Sequence, residues 1–133
     1  MKKQKICVIG DGLAGLTAAL SLKTTSTDVD LYCGDNSQVK KKDTRTTAIS
    51  NSNYEFIVKK IGISNKKLFW QCNKINLYFE NKNRHLNFLN FKEKKNLMYI
   101  FENKKLKEEL IKKIRSQKIK LFRKNVSEIN INN

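Results

Sequence analysis

Lys5-Ile-Cys-Val-Ile-Gly-Asp-Gly-Leu-Ala-Gly-Leu-Thr-Ala-Ala-Leu-Ser-Leu22 changes character twice along its length. Lys5–Ile9 is a short continuous apolar run, which predicts a strand buried on both faces of a parallel sheet. Gly10-Asp-Gly-Leu-Ala-Gly15 follows at once and matches the pattern G-x-G-x-x-G. Leu16–Leu22 is rich in Ala and Leu and predicts a helix, brought to an end by the polar Thr24–Thr27 cluster. Val29–Cys33 predicts a second strand. Strand, glycine turn, helix and strand make one βαβ unit, whose crossover is right-handed and whose strands pair in parallel.

The glycine pattern is weak alone but specific between a strand and a helix. Gly10 permits the tight turn off the strand. Gly12, without a Cβ, lets a dinucleotide's diphosphate approach the backbone, and Gly15 lets the helix pack close to the strands. The free N–H groups at the helix start face the phosphates, aided by the helix dipole. A ligand-free glycine turn is the plain alternative, but three glycines at these positions otherwise cost stability. A ribose-binding acid belongs at the end of the second strand, where the sequence has Cys33. Asp30 lies mid-strand, Asp28 is at the wrong end, and Asp35 stands two residues past the strand. The ribose contact is therefore made by Asp35, made by the backbone, or weakened. Asp11 sits beside a diphosphate site and is expected to point away from it.

Further along, Gly34–Thr44 predicts a polar loop. Thr46–Ile61 has helical spacing, with Ile49, Phe56, Ile57 and Ile61 on one face and Gly62 as C-cap. Ile75–Phe79 and His85–Leu89 predict strands joined by a hairpin loop at Asn81–Arg84. Leu97–Phe101 predicts another strand. Asn103 is expected to cap a helix running to about Gln117, with Leu106, Leu110, Ile111 and Ile114 as its core stripe. Ile119–Phe122 and Val126–Ile131 are two further expected strands.

The chain has 133 residues, 28 Lys+Arg against 12 Asp+Glu, a net charge of +16, one His, three Cys and no Pro. This length suits one domain. No apolar run approaches the ~20 residues of a membrane span, and Ile6–Ile9 is too short for a signal core, so a cytoplasmic location is expected. Cys7, Cys33 and Cys72 are odd in number, far apart and without a CxxC, which argues against a disulfide framework or a metal site. Cys7 is expected to be a small buried hydrophobe. His85 has no acid or serine patterned with it. The charge is mostly lysine, with arginine only at positions 45, 84, 115 and 123, and it is spread along the chain. That argues for a solvated surface over specific nucleic-acid recognition, which leans on arginine. Weak, salt-sensitive polyanion binding follows from it. The aromatics of Tyr78–Phe91 are expected to alternate into a core.

Cys7-Val-Ile-Gly-Asp-Gly-Leu-Ala-Gly-Leu-Thr-Ala-Ala-Leu20 resembles the amino end of flavin-dependent aromatic hydroxylases. Asp43-Thr-Arg-Thr-Thr-Ala-Ile-Ser50 resembles a segment typical of the ubiquinone-biosynthesis hydroxylases. Met98-Tyr-Ile-Phe-Glu-Asn103, followed by Leu106 and Leu110, is similar to that family's third shared segment. The resemblance implies an α/β fold: a Rossmann-like FAD-binding domain over 1–133 with part of an inserted β-rich substrate region starting at about 72–96. It implies an FAD-dependent monooxygenase that hydroxylates a polyprenylated phenol, with NAD(P)H and dioxygen as co-substrates and peripheral membrane contact through the lipid-soluble substrate. Carried onto this chain, Gly10, Gly12, Ala14 and Gly15 cradle the FAD diphosphate, Asp35 is the remaining acid for the ribose, and Arg45 lies along the phosphate–ribose portion. Glu102 and Asn103 fall where the third segment approaches the flavin. The family's later Gly-Asp segment is missing, so the chain is expected to be an amino-terminal fragment, weak in FAD binding and inactive alone. Two alternatives stay open: another FAD- or NAD-linked oxidoreductase, and a basic nucleotide- or polyanion-binding module without redox chemistry.

Overall fold

In a computed structural model, which describes residues 3–34, 43–81, 84–92, 96–123 and 126, the expected βαβ unit forms at the amino end. Strand β1 (Gln4–Ile9) leads through the glycine turn into helix α1 (Leu13–Leu22) and back along β2 (Thr27–Cys33). The strands pair in parallel, with Ile6 opposite Val29 and Val8 opposite Leu31. A last strand, β8 (Lys120–Arg123), joins the other side of β2, also in parallel, giving the order β1-β2-β8.

The helices cover one face of this sheet. Val29, Leu31 and Cys33 of β2 point into that face and are buried with Leu16, Ala19 and Leu20 of α1. Leu106, Leu110 and Ile114 of α3 (Asn103–Ser116) complete the layer, as their spacing on one helix stripe dictates. β1 departs from expectation here. Ile6 and Val8 pack against the core, but Lys5, Cys7 and Ile9 are exposed on the other face. Among the described residues β1 is an edge strand with a single covered face, and Cys7 is exposed rather than the buried hydrophobe its apolar run predicts.

A second, antiparallel sheet has the order β3-β7-β4, from β3 (Thr46–Ile49), β7 (Met98–Glu102) and β4 (Trp70–Cys72). Here the predicted Thr46–Ile61 helix is corrected. Its first four residues include three β-branched side chains, which suit a pleated strand, and they pair with Tyr99–Glu102. The helix begins only after Ser50, whose Oγ accepts from the Asn53 N–H at 3.3 Å. α2 (Asn51–Glu55) then widens into a π-helical turn over Phe56–Lys60, with Ile61 N–H donating to the Phe56 carbonyl. Gly62 ends it with φ at +79°, as its expected capping role requires. Tyr54 stacks on Tyr99 with ring centroids 3.7 Å apart and meets Phe69 edge-on, tying this helix to the second sheet.

β5 (Lys74–Asn81) and β6 (Arg84–Lys92) form the expected hairpin, each strand longer than predicted. Leu77 faces Leu89 and Phe79 faces Leu86, with an irregularity after Leu77. The expectation that its aromatics enter a core does not hold. Tyr78, Phe79, Phe88 and Phe91 are all exposed, because among the described residues these strands pair only with each other. The strand expected over Val126–Ile131 lies, apart from Val126, outside the described residues. No described helix is long and apolar enough to cross a membrane.

Candidate functional site at the glycine turn

β1 ends by handing the Gly10 N–H to the carbonyl of Tyr32, at 2.8 Å, which anchors the start of the turn to β2. Gly10 then takes φ +110°, a conformation that L side chains rarely adopt. A Cβ on Gly15 would collide with the Gly10 carbonyl oxygen and stand 2.9 Å from its carbonyl carbon. Gly15 is thus the close-packing glycine, and helix and strand meet there backbone to backbone. Gly12 is the N-cap of α1, with no side chain serving as cap, and a Cβ there would meet nothing within 4 Å. The space in front of Gly12 is open.

The helix therefore starts with its first N–H groups free of intrahelical partners, those of Leu13, Ala14 and Gly15 among them. They sit at the carboxyl edge of a parallel sheet, where open α/β sheets bind their ligands. The geometry fits a diphosphate: an unobstructed backbone, a helix N-terminus and no acidic side chain in the first turn.

The charges around the turn are organised. Asp11 is turned onto Lys107 of α3, whose Nζ donates to Oδ2 at 3.0 Å, both side chains being partly buried. The Asp11 carboxylate is thus paired rather than free at the turn. Lys107 also acts on Asp43, so the Asp43–Arg45 segment lies within electrostatic range of the same ammonium. Arg45 holds Asp43 with Nε to Oδ1 and a terminal nitrogen to Oδ2, both at 2.9 Å, and its backbone N–H reaches Oδ1 at 3.1 Å. The Asp43 carboxyl is held down at about 2 by these bonds from Arg45. The Arg45 guanidinium is itself 77% exposed.

Asn103 is not the expected cap. Glu102 holds the N-cap position of α3, and Asn103 is the first helical residue. Its backbone N–H donates to the Arg45 carbonyl at 3.0 Å, and its Oδ1 accepts from Thr47 Oγ1 at 2.7 Å. Asn103 thus fastens the start of α3 to the start of β3. Glu102 meanwhile pairs with Lys105 at 2.7 Å.

Cys33 ends β2 with its thiol buried. Burial pushes the thiol up, the Asp11 carboxylate adds to this, and Lys107 and Arg123 oppose it. Asp11, Lys107 and Arg123 thus all act on the end of β2. Asp28 is engaged elsewhere, with Lys23 at 2.8 Å, and Asp35 lies outside the described residues. Lys107 and Arg123 were not singled out from sequence. Lys107 carries the signal of sitting one helical turn after Asn103, yet nothing distinguishes it among so many lysines.

No known family model matches the sequence, and no curated protein matches it either. Solved structures do. The tryptophan 5-halogenase MibH superposes with a TM-score of 0.72 at 13% identity, over 99% of this chain and 35% of that one. A tetrameric form of 2-methyl-3-hydroxypyridine-5-carboxylic acid oxygenase gives 0.63 at 20% identity, over 91% of this chain and 31% of that one. CtdE, solved in complex with FAD, gives 0.61 at 14% identity, over 91% of this chain and 30% of that one. The chain shares their α/β fold and spans about a third of their length.

Proposed function

We propose that this chain is the FAD-binding portion of an aromatic-ring monooxygenase. The carrying observation is the turn itself: Gly12 open to ligand, Gly10 at φ +110° and Gly15 in backbone contact with Gly10, at the carboxyl edge of a parallel sheet. In this reading Gly10, Gly12, Ala14 and Gly15 cradle the diphosphate, and Lys107 keeps the Asp11 carboxylate off it. Arg45 reaches the phosphate–ribose portion by exchanging its Asp43 partner for a phosphate, a swap of one charge-assisted fork for another. Asp35 remains the candidate acid for the ribose. The β5–β6 hairpin begins the substrate region, which supports the division at about residues 72–96. FAD supplies the redox and oxygen-transfer chemistry when bound, with NAD(P)H and dioxygen as co-substrates, while this chain binds and orients it.

The finer reading is a ubiquinone-biosynthesis hydroxylase acting on a polyprenylated phenol at a membrane surface. The resemblance of the Asp43–Ser50 and Met98–Asn103 segments supports it; β3 and β7, which carry them, lie side by side. The competing reading, a basic polyanion-binding module, draws on the +16 charge.

Titration of the chain with FAD, followed by flavin fluorescence, separates the two. Saturable binding that survives added salt and is lost in Gly12→Val is expected. Binding that fades with salt and is untouched by Gly12→Val contradicts the flavin reading and favours the polyanion one.

A further inference from the structure

α3 carries two polar residues on the side where it buries its core stripe. Leu106, Leu110 and Ile114 are buried along one side of the helix, and Asn103 and Lys107, one helical turn apart, lie on that same side. Each holds a different stretch of chain. The Asn103 backbone N–H donates to the Arg45 carbonyl at 3.0 Å, and its Oδ1 accepts from Thr47 Oγ1 at 2.7 Å. Lys107 Nζ donates to Asp11 Oδ2 at 3.0 Å, 96 residues back along the chain. Lys105 and Lys112 of the same helix pair locally instead, with Glu102 and Glu109. Asp11 stands between Gly10 and Gly12, and of those three residues only it has a side chain. Glycines lose much conformational freedom on ordering, so the Asp11 carboxylate is the side-chain handle by which the turn is held. The Lys107 and Asp11 side chains are 34% and 28% exposed, which limits screening of their attraction.

We propose that Lys107 is a positioning residue for the dinucleotide. Through Asp11 it fixes the glycine turn to the same helical turn of α3 that fastens the Arg45 segment, so that the turn's amides and the arginine address one ligand at a set spacing. The inference rests on the diphosphate reading above and gives Lys107 a part beyond balancing charge. The two parts predict opposite signs. If the pair acts only through its charges, removing the Asp11 carboxylate takes a negative charge from beside the diphosphate and frees an ammonium, and FAD binds more tightly. If the pair is a tether, its loss leaves the turn to be ordered on binding, and FAD binds more weakly.

The test is fluorescence titration of the full chain with FAD at fixed salt. The pair is partly screened by solvent, so its removal leaves the fold in place, which thermal unfolding of each variant checks. Asp11→Ala and Lys107→Met are each expected to weaken FAD binding about fivefold or more, the scale of an ordering cost met on binding. The double variant loses no more than either alone, because both changes remove one tether. Lys107→Arg, which keeps a donor in reach of Asp11, stays within about twofold of the unmodified chain. Arg45→Gln loses less affinity in the Lys107→Met chain than in the unmodified one. Lys112→Gln, which removes the same charge further along α3, leaves FAD affinity unchanged. Tighter binding in Asp11→Ala, losses that multiply in the double variant, or a loss in Lys112→Gln as large as that in Lys107→Met overturns the proposal. If FAD binding is lost in Gly12→Val yet rises in Asp11→Ala, only the tether inference fails. If FAD binding survives Gly12→Val or is absent from the unmodified chain, the diphosphate reading fails and the tether inference with it.

Discussion

Two glycines three residues apart carry opposite duties, and substitution separates them. Gly15→Ala drives a methyl group into the Gly10 carbonyl, and overpacking of this kind costs roughly 1–3 kcal/mol or more. Gly12→Ala places its methyl in open space and is expected to cost no more than about 1 kcal/mol as a poorer N-cap. Thermal unfolding of the two variants should show a large loss for the first and a small one for the second, while FAD affinity falls in both. The Asp43–Arg45 fork is sensitive to pH. Asp43 has a folded value near 2, below the ordinary carboxylate value of 3.8. A depressed acid stabilises the fold above its ordinary value, and that contribution disappears as pH falls through about 2. Arg45 is exposed and Asp43 only partly covered, so solvent screening keeps the contribution small. NMR titration should find the Asp43 midpoint near 2 and, in Arg45→Gln, back toward 3.8. The glycine pattern was legible because each position answers to a steric demand. Lys107 and Arg123 were not, because proximity to the turn is decided by how α3 and β8 pack, which no local spacing encodes.

Elements divide in the same way between what local sequence dictates and what partners decide. α1 and α3 were legible from composition and from the Leu106, Leu110, Ile114 stripe. Leu110, fully buried between α3 and its neighbours, is expected to lose about 2–5 kcal/mol on truncation to Ala. Ser50→Ala, which removes only the cap of a five-residue helix, should lose about 1 kcal/mol. Denaturant unfolding of both variants measures the contrast. Thr46–Ile49 was misread because its apolar positions fit a helical face as well as a strand. Pairing with β7, far along the chain, selects the strand, and the Ser50 cap marks where the helix can start. The short β4 strand escaped for the same reason, since Trp70–Cys72 is a strand only because Met98–Ile100 lies beside it.

In the molecule as a whole, nothing among the described residues covers the face of the parallel sheet carrying Ile9 or the β5–β6 hairpin. Sequence placed the hairpin but not its exposure, because alternation says which residues share a face and not whether anything covers it. Leu86 and Phe88 remain 56% and 62% exposed, so Leu86→Thr with Phe88→Thr is expected to change the unfolding free energy by less than about 0.5 kcal/mol each. A loss comparable to Leu110→Ala would mean that the hairpin is packed in solution. The fold is organised around the carboxyl edge of β1-β2-β8, and in the flavin reading the backbone at that edge holds the dinucleotide. Backbone amide NMR on the chain with FAD added tests it most directly. The amides of Gly12, Leu13, Ala14 and Gly15 are expected to shift most, and together. Shifts confined to scattered lysines, or none at the glycine turn, would contradict it.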